Sequence, residues 1–285
     1  MDPAVAGRTA RSLETLHALC YFAPEVDAEV AALGVRPGRT TYFASRAAAM
    51  GRVGPGTVTA TFLVFNPTLV TKLLPPAWEA TGPAEVAAAR LRGVDAAYRR
   101  LLGDDVATSS AVAEAAELTR TAVAACDPGG RPLYAAHADL EWPVEPHLAL
   151  WFGLTLLREF RGDGHIAATL SAGLTGLEAL VTHTATGTGF TEPAAKATRG
   201  WSEDQWGAAV AGLAARGLMA PDGGLTEQGT ALRAAIESAT DERAAAPWDA
   251  LGEVGASRLA EIGRPLARQA VANGAFPDGV FAARR

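Results

Sequence analysis

The densest group of ionisable side chains lies in residues 157–165, which read LREFRGDGH. Arg158 and Arg161 are three residues apart, so a helix would place both guanidinium groups on one face. Guanidinium groups bind carboxylates and phosphates through paired hydrogen bonds, and His165 could act as an acid or a base near neutral pH. The segment therefore predicts a site for an anionic ligand. One alternative stays open, in which an arginine only pairs with Asp163 at a helix junction.

Aromatic and polar residues earlier in the chain could complete such a site. Tyr42 and Trp151 combine a large apolar ring with a polar end, which suits the wall of a ligand pocket. Arg46 and Asn66 are the nearest polar candidates to orient a ligand. The predicted ligand is a small apolar or anionic organic molecule, and no cofactor is assigned. The predicted ligand-binding residues are Tyr42, Arg46, Asn66, Trp151, Arg158, Arg161, Asp163 and His165.

Motifs of metal-dependent and nucleotide-driven enzymes are missing from the sequence. His137, Asp139 and Glu141 alternate, and an extended backbone would point them to one side, as a metal site requires. No second cluster completes the site, so we interpret them as part of a solvated loop and predict no metal. The sequence contains no Walker A motif, no GxGxxG after a strand, no HExxH and no GxSxG. Nucleotide-driven enzymes and standard hydrolases are therefore disfavoured.

The composition is that of a slightly acidic globular protein. The net charge is −6 at pH 7, and 49% of the residues are hydrophobic. We find neither an apolar run of transmembrane length nor a signal-peptide core, so we expect a cytoplasmic protein without a membrane partner. Cys20 and Cys126 lack metal-site spacing and are expected to be buried free thiols. Frequent Ala, Arg and Gly with few Lys are typical of a GC-rich, actinobacterial genome.

Hydrophobic patterning predicts a mostly α-helical fold. Residues 146–161 are apolar nearly all round until Arg158, which predicts a central, buried helix that ends at the following glycines. One segment, Thr57–Phe65, is rich in β-branched and aromatic residues and is the best strand candidate. This leaves open that the first, helical domain contains a degenerate winged helix with that strand in its wing.

Residues 199–237 predict a winged helix. Ser202 begins a capping box at the start of a helix that Gly217 ends. A small β-hairpin turning at Asp222–Gly224 would follow, and Thr226 would cap the next helix. We therefore expect three parts, listed here by residue number: a helical, ligand-binding domain over 1–187, a winged-helix domain over 188–252, and a C-terminal helix and tail over 253–285.

The charges of this winged helix disfavour DNA binding. A DNA-reading helix presents its first turn to base edges and phosphates. Here that turn carries Glu203 and Asp204, whose carboxylates the phosphate backbone would repel. DNA therefore stays an open but disfavoured partner.

Two resemblances to known families rest on short segments. The pattern LxxRGL…DGG-LTxxGxxLR resembles the end of the winged helix in MarR-type regulators, which pair through their terminal helices. That resemblance implies a homodimer through residues 9–19 and 256–271. The whole chain is similar to an actinobacterial SalK-type helix-turn-helix family, which implies gene regulation and supplies no catalytic residues. The segments that carry this second resemblance are YFASRAAAMG (42–51), FNPTLV (65–70), LREFRGDGHIAA (157–168) and RGWSEDQW (199–206).

Two functions follow from these expectations. The preferred one is a small-molecule-binding winged-helix protein of regulatory, MarR-like helix-turn-helix type, in which ligand binding shifts the winged helix. The alternative is an enzyme, or an antibiotic-resistance or sequestration protein of secondary metabolism, that keeps the winged helix as a scaffold.

Overall fold

A computed structural model describes residues 1–282 of the chain. The fold is mostly α-helical, as predicted, and helix N-caps define many of its boundaries. The helices are α1 (Pro3–Ala18), α2 (Pro24–Ala31), α3 (Arg39–Ala47), α4 (Pro55–Phe62), α5 (Pro67–Ala80), α6 (Pro83–Leu102), α7 (Ser110–Val123), α8 (Pro132–Ala138), α9 (Pro146–Ser171), α10 (Gly176–Ala185), α11 (Glu192–Arg199), α12 (Glu203–Ala215), α13 (Glu227–Arg243) and α14 (Ala246–Ala272).

The long helix α9 is the central element of the fold. Its first half is buried on all sides, which confirms the central helix that the sequence predicts. The helix continues through Gly162 and Gly164 to Ser171, so the predicted end at these glycines is wrong. Position 164 is closely packed by neighbouring residues. A Cβ atom there would lie 2.8 Å from Arg131 Nη1 and 3.4 Å from Arg243 Cβ. The glycine therefore serves close packing on the helix and not a turn.

Three hydrophobic cores surround α9. The first core joins α1, α6, α7, α9 and α14, and it contains Cys20 and Cys126, whose predicted burial as free thiols is confirmed. The second core joins α2 to α6, and the third joins the end of α9 to α10, α12 and α13. The divisions near residues 187 and 252 stay predictions.

The predicted winged-helix domain with a β-hairpin is wrong. No strand occurs in residues 1–282, and the segment between α12 and α13 pairs only through one isolated bridge, Met219 to Leu225. The chain turns tightly here, since Ala220 N–H donates to Gly224 O (2.8 Å). Few residues are therefore left to form a longer β-ladder. Thr226 already caps α13, so the next residues are helical.

The predicted strand at Thr57–Phe65 is also wrong, and with it the idea that this segment is the wing of a degenerate winged helix. Residues 55–62 form α4, which begins with Pro55 at its first turn. Val58, Thr61 and Phe62 are buried at helical spacing in the second core. Burial of this face outweighs the weak strand preference of β-branched residues.

Two helix-connecting turns hold each other together, and we call their junction the turn–turn contact (residues 63–66 and 199–202). One turn joins α4 to α5 and the other joins α11 to α12. The backbone N–H of Asn66 donates to Arg199 O (2.9 Å), and its amide Nδ2 donates to Gly200 O (3.0 Å). A third bond runs in the opposite direction, from the indole Nε1 of Trp201 to Val64 O (2.9 Å). The starts of α5 and α12 are therefore fixed side by side.

Replacing Asn66 by Ala should destabilise the protein by about 2–4 kcal/mol, because it removes the N-cap of α5 and the side-chain bonds to Gly200 and Gln205, while the backbone bond to Arg199 O remains. Ser109→Ala is the matched control, since Ser109 caps α7 and bonds only within its own helix end; it should cost about 1 kcal/mol. Urea unfolding measures both free energies. Equal losses of unfolding free energy in the two variants would show that the side-chain bonds of Asn66 across the turns contribute nothing to stability.

Candidate ligand site: the arginine centre

Four of the predicted ligand-binding residues meet in the interior between the first and second cores. Tyr42 and Arg46 come from α3, and Trp151 and Arg158 come from α9. Other polar residues that the sequence analysis did not assign join them there. We call the whole cluster the arginine centre, and its members are His17, Tyr21, Tyr42, Arg46, Arg90, His137, Trp151, Arg158 and Glu159.

The carboxylate of Glu159 is the hub of the arginine centre. It is 1% exposed and accepts hydrogen bonds from Arg158 Nη1 (2.7 Å) and Arg46 Nη2 (3.4 Å). Tyr21 donates its hydroxyl to the other oxygen at 3.4 Å. Burial by itself would raise the pKa of Glu159, but the charges of Arg158 and Arg46 outweigh it and hold the pKa well below its ordinary value. Glu159 is therefore ionised.

Arg90 lies on the opposite side of the cluster with only neutral partners. It is 5% exposed, and it donates to Ser45 O (3.3 Å) and to the sulfur of Cys20 (3.5 Å). Its guanidinium carbon is 5.0 Å from the centre of the Trp151 ring. No carboxylate in the described part of the chain lies within ion-pair distance of Arg90.

The imidazoles near Arg90 do not compensate its charge. His137 Nε2 is 3.5 Å from Arg90 Nη1, and burial lowers the pKa of His137 to about 4. Burial likewise lowers the pKa of His17, which bonds to Thr155 and Tyr21, well below its ordinary value. Both rings are neutral at pH 7 and add no charge of either sign.

The arginine centre therefore holds more positive charge than its own carboxylate can neutralise. Arg46, Arg90 and Arg158 face one buried carboxylate, that of Glu159, and the exposed carboxylate of Glu14 reaches only Arg158, at 3.9 Å. In addition, Arg46 Nε, Arg90 Nε and Trp151 Nε1 are buried without a hydrogen-bond partner among residues 1–282. Buried donors are nearly always satisfied, and an uncompensated buried charge costs several kcal/mol, so these groups need an explanation. An anion with several acceptor oxygens would satisfy both needs.

One side of the arginine centre is open to solvent. The side chain of Arg158 is 27% exposed there, and Glu14 lies 3.9 Å from its Nε. Tyr21 and Tyr42 are half-buried beside it, with ring centres 5.3 Å apart. These three residues form the solvent-facing side of the arginine centre, which we call its mouth.

Arg199 belongs to the edge of this mouth. Its guanidinium lies over Phe65 (4.8 Å) and Phe190 (4.4 Å), and its Nε has no hydrogen-bond partner in residues 1–282. Burial lowers the pKa of Arg199, and the charges of Arg46 and Arg158 lower it further. The Phe65 ring in turn lies 5.7 Å from the Tyr42 ring, so a fourth cation is close to the mouth.

Arg161 and His165 lie outside the arginine centre, on the side of α9 that faces α13. Arg161 Nη2 bonds to Asp241 Oδ1 (2.9 Å) and to Glu237 Oε2 (3.0 Å). His165 Nδ1 is 2.9 Å from the hydroxyl of Thr240, and burial lowers the pKa of His165 to about 4. These contacts attach α13 to α9.

The last two predicted residues have partners elsewhere. Asp163 Oδ2 accepts the backbone N–H groups of Leu133 (3.0 Å) and Tyr134 (2.9 Å) at the start of α8. Asn66 is part of the turn–turn contact. The structure thus brings together half of the predicted set, and the ligand role of all eight residues stays a prediction.

The sequence analysis missed Arg90, and a signal for it existed. Arg90 follows Val86 and Ala89 and precedes Gly93 and Val94, so it lies on the buried stripe of an amphipathic helix. An arginine on such a stripe must find a polar partner in the interior.

The interpretation of residues 137–141 as a solvated loop holds for Asp139 and Glu141, which are exposed, but not for His137. His137 is 2% exposed on α8, and its Nδ1 is 2.9 Å from Leu133 O. Within residues 1–282, no group of three or more His, Cys, Asp or Glu side chains is arranged to hold a metal ion.

Comparison with known proteins places the chain in a family. A family model described as a helix-turn-helix family matches residues 6–277, nearly the whole chain. The protein belongs to this helix-turn-helix family. No curated protein and no solved structure matches the chain. No helix in the described residues is long and apolar enough to cross a membrane.

The free energy of unfolding should fall as the pH is lowered from 7.5 to 5.0. Because burial lowers the pKa of His137 from 6.5 to about 4, the unfolded chain takes up a proton in this window that the native protein does not. Stability from this group is complete above pH 6.5 and is lost as the pH approaches 4, with about 2 kcal/mol lost by pH 5.0.

His137→Gln should reduce this pH dependence by about the same amount, while His17 still contributes in the same direction. Urea unfolding of both proteins at the two pH values measures the difference. An unchanged pH dependence in the variant would mean that His137 is not held neutral.

Proposed function

We propose that this helix-turn-helix protein binds a small organic anion in the arginine centre. The observation that carries the proposal is the imbalance of buried charge: three guanidinium groups face one buried carboxylate, with the exposed Glu14 reaching only Arg158, and three N–H donors have no partner in residues 1–282. Proteins rarely retain such an imbalance without a ligand, because each uncompensated group destabilises the fold.

The chemistry of the cluster suits a carboxylic acid with an apolar or aromatic body. A carboxylate accepts up to four hydrogen bonds and would receive them from the free Nε atoms of Arg46 and Arg90 and from the indole of Trp151. The rings of Tyr21 and Tyr42 at the mouth would contact the body of the ligand. A neutral molecule of the same shape would leave the charge uncompensated.

The position of Arg199 supports a regulatory role for the ligand. Its backbone carbonyl accepts the N–H of Asn66 in the turn–turn contact, and its side chain lies at the mouth of the arginine centre. A ligand that pairs with this guanidinium would therefore favour one arrangement of the two turns. Membership of a helix-turn-helix family agrees with regulation, and a homodimer through α1 and α14 stays a prediction.

DNA is a disfavoured partner of α12 in this proposal. Glu203 and Asp204 are exposed at its first turn, and the rest of its exposed face is built of small apolar residues until Arg216. Arg216 itself pairs with Glu178 at 2.9 Å. Lys196 pairs with Glu203, so Asp204 is the carboxylate of this turn that has no ion pair in residues 1–282, and it repels phosphate.

A sequestration protein that uses the helix-turn-helix as a scaffold is the second candidate. The turn–turn contact favours it, because Gln205 in the first turn of α12 bonds to Asn66 (3.2 Å) and not to an external partner. An enzyme that relies on His165 receives less support, since this imidazole bonds to Thr240 outside the arginine centre.

Arg90→Met should abolish ligand binding and at the same time stabilise the unliganded protein by roughly 1–2 kcal/mol, because it removes a buried charge that has no carboxylate partner. Thermal shift with benzoate, and with benzamide as the neutral isostere, measures binding. We expect benzoate alone to raise the melting temperature of the natural protein, and neither compound to raise that of the variant.

Arg46→Met is the control for this experiment. It leaves Glu159 with one cation fewer and should destabilise the protein by about 3 kcal/mol. If Arg90→Met destabilises the protein as strongly as Arg46→Met, Arg90 is structural and the proposed ligand site is wrong. Native mass spectrometry of the purified protein would identify a ligand that copurifies.

A mobility-shift assay with the upstream DNA of its own gene, at low and at physiological salt, tests whether the regulatory role of the ligand acts on DNA. We expect no specific shift, because the exposed turn of α12 is acidic. A specific shift that benzoate reverses would instead support the regulator and reject the scaffold.

A further inference from the structure

A second feature that favours anions lies on the surface, away from the arginine centre. A groove of about 310 Å³ runs between α3 and α5. It continues into a wider groove of about 690 Å³ that reaches the starts of α5 and α12. We call the narrower part the basic groove, and the residues that line it are Arg36, Pro37, Arg39, Thr40, Leu69, Lys72 and Leu73.

Three cations of the basic groove have no acidic partner. Arg36, Arg39 and Lys72 are exposed, and none forms an ion pair with a carboxylate of residues 1–282. Arg39 donates only to the backbone oxygen of Ala197 (3.1 Å). The nearby carboxylate of Asp27 is already occupied, since it accepts the N–H of Gly38 (2.7 Å) and the hydroxyl of Thr41. In a chain of net charge −6, this is a local excess of positive charge.

The start of α3 adds further donors to the basic groove. Gly38 precedes the helix at φ 88° and provides no side-chain cap. The first intrahelical bond is that of Tyr42 N–H to Gly38 O (3.1 Å), so the N–H groups of residues 39–41 precede the helical ladder. Thr40, which lines the groove and is 2% exposed, has a hydroxyl without a hydrogen-bond partner in the described residues. Uncapped N–H groups beside cations are a common arrangement for phosphate.

We propose that the basic groove binds the phosphate group of a small phosphorylated molecule of about nucleotide size. Three cations and a helix N-terminus match a tetrahedral dianion better than a carboxylate. Leu69 and Leu73 supply an apolar wall for the body of the ligand, and the groove volume is that of a small-molecule site. Duplex DNA fits less well, because Asp204 lines the wider part of the groove and the whole chain is acidic.

The test compares adenosine 5′-monophosphate, pyrophosphate and adenosine by titration calorimetry. We expect the two phosphates to bind and adenosine to bind at least about tenfold more weakly, because it lacks the anionic group. The double variant Arg39→Gln, Lys72→Gln should weaken phosphate binding about tenfold or more. Both side chains are exposed and lack ion pairs within residues 1–282, and the variant removes only the hydrogen bond from Arg39 to Ala197 O. Circular dichroism should therefore show no change, and urea unfolding only a small one.

The matched control is Arg268→Gln, which removes one exposed cation on α14 and should leave phosphate binding unchanged. Benzoate, the probe for the arginine centre, should not compete with phosphate, so the two sites can fail independently. A second arm uses a short duplex DNA. Binding of DNA but not of the small phosphates, lost in the double variant, would assign the phosphate to a nucleic-acid backbone. No phosphate binding in either arm, or equal loss in the double variant and in the control, overturns the proposal.

Discussion

The ion pairs of Glu159 hold the interior of this protein together. Its carboxylate joins α9 to α3 through Arg46 and is ionised although it is almost fully buried. A charge in this position is stable only while cations and donors surround it, so α1, α3 and α9 must keep their mutual positions. Arg90 adds a cation from α6 that this carboxylate does not neutralise. This uncompensated charge is the basis of the proposed anion site.

The two turns that precede α5 and α12 form hydrogen bonds with each other. In the turn–turn contact, the start of α5 and the start of α12 share hydrogen bonds between Asn66, Arg199 and Gly200. A helix that reads DNA must leave its first turn free. Here part of that turn is engaged within the molecule and the exposed part is acidic, while cations without an ion pair in residues 1–282 gather beside it, in the basic groove.

The features that depend on a few consecutive residues could be predicted from the sequence. The capping box at Ser202, the stop at Gly217 and the apolar stretch of residues 146–160 all correspond to observed features. The prediction of a strand at Thr57–Phe65 was wrong, because strand preference is weak and burial of one helical face outweighs it. The predicted hairpin failed for a different reason, since the tight turn leaves only a single bridge before α13 begins.

The candidate site was also predicted only in part from the sequence. By itself the sequence determined the helical class, the central helix and the residue types able to hold an anion, because periodicity, caps and side-chain chemistry are written in short segments. Only the tertiary structure decided which arginines act together. Arg158 and Arg161 are neighbours on one helix, yet they bind different carboxylates, because α9 is packed on one side by α1 and on another by α13. Arg90 joins Arg158 from a distant helix, since the energy of a buried charge depends on what surrounds it in space and not along the chain.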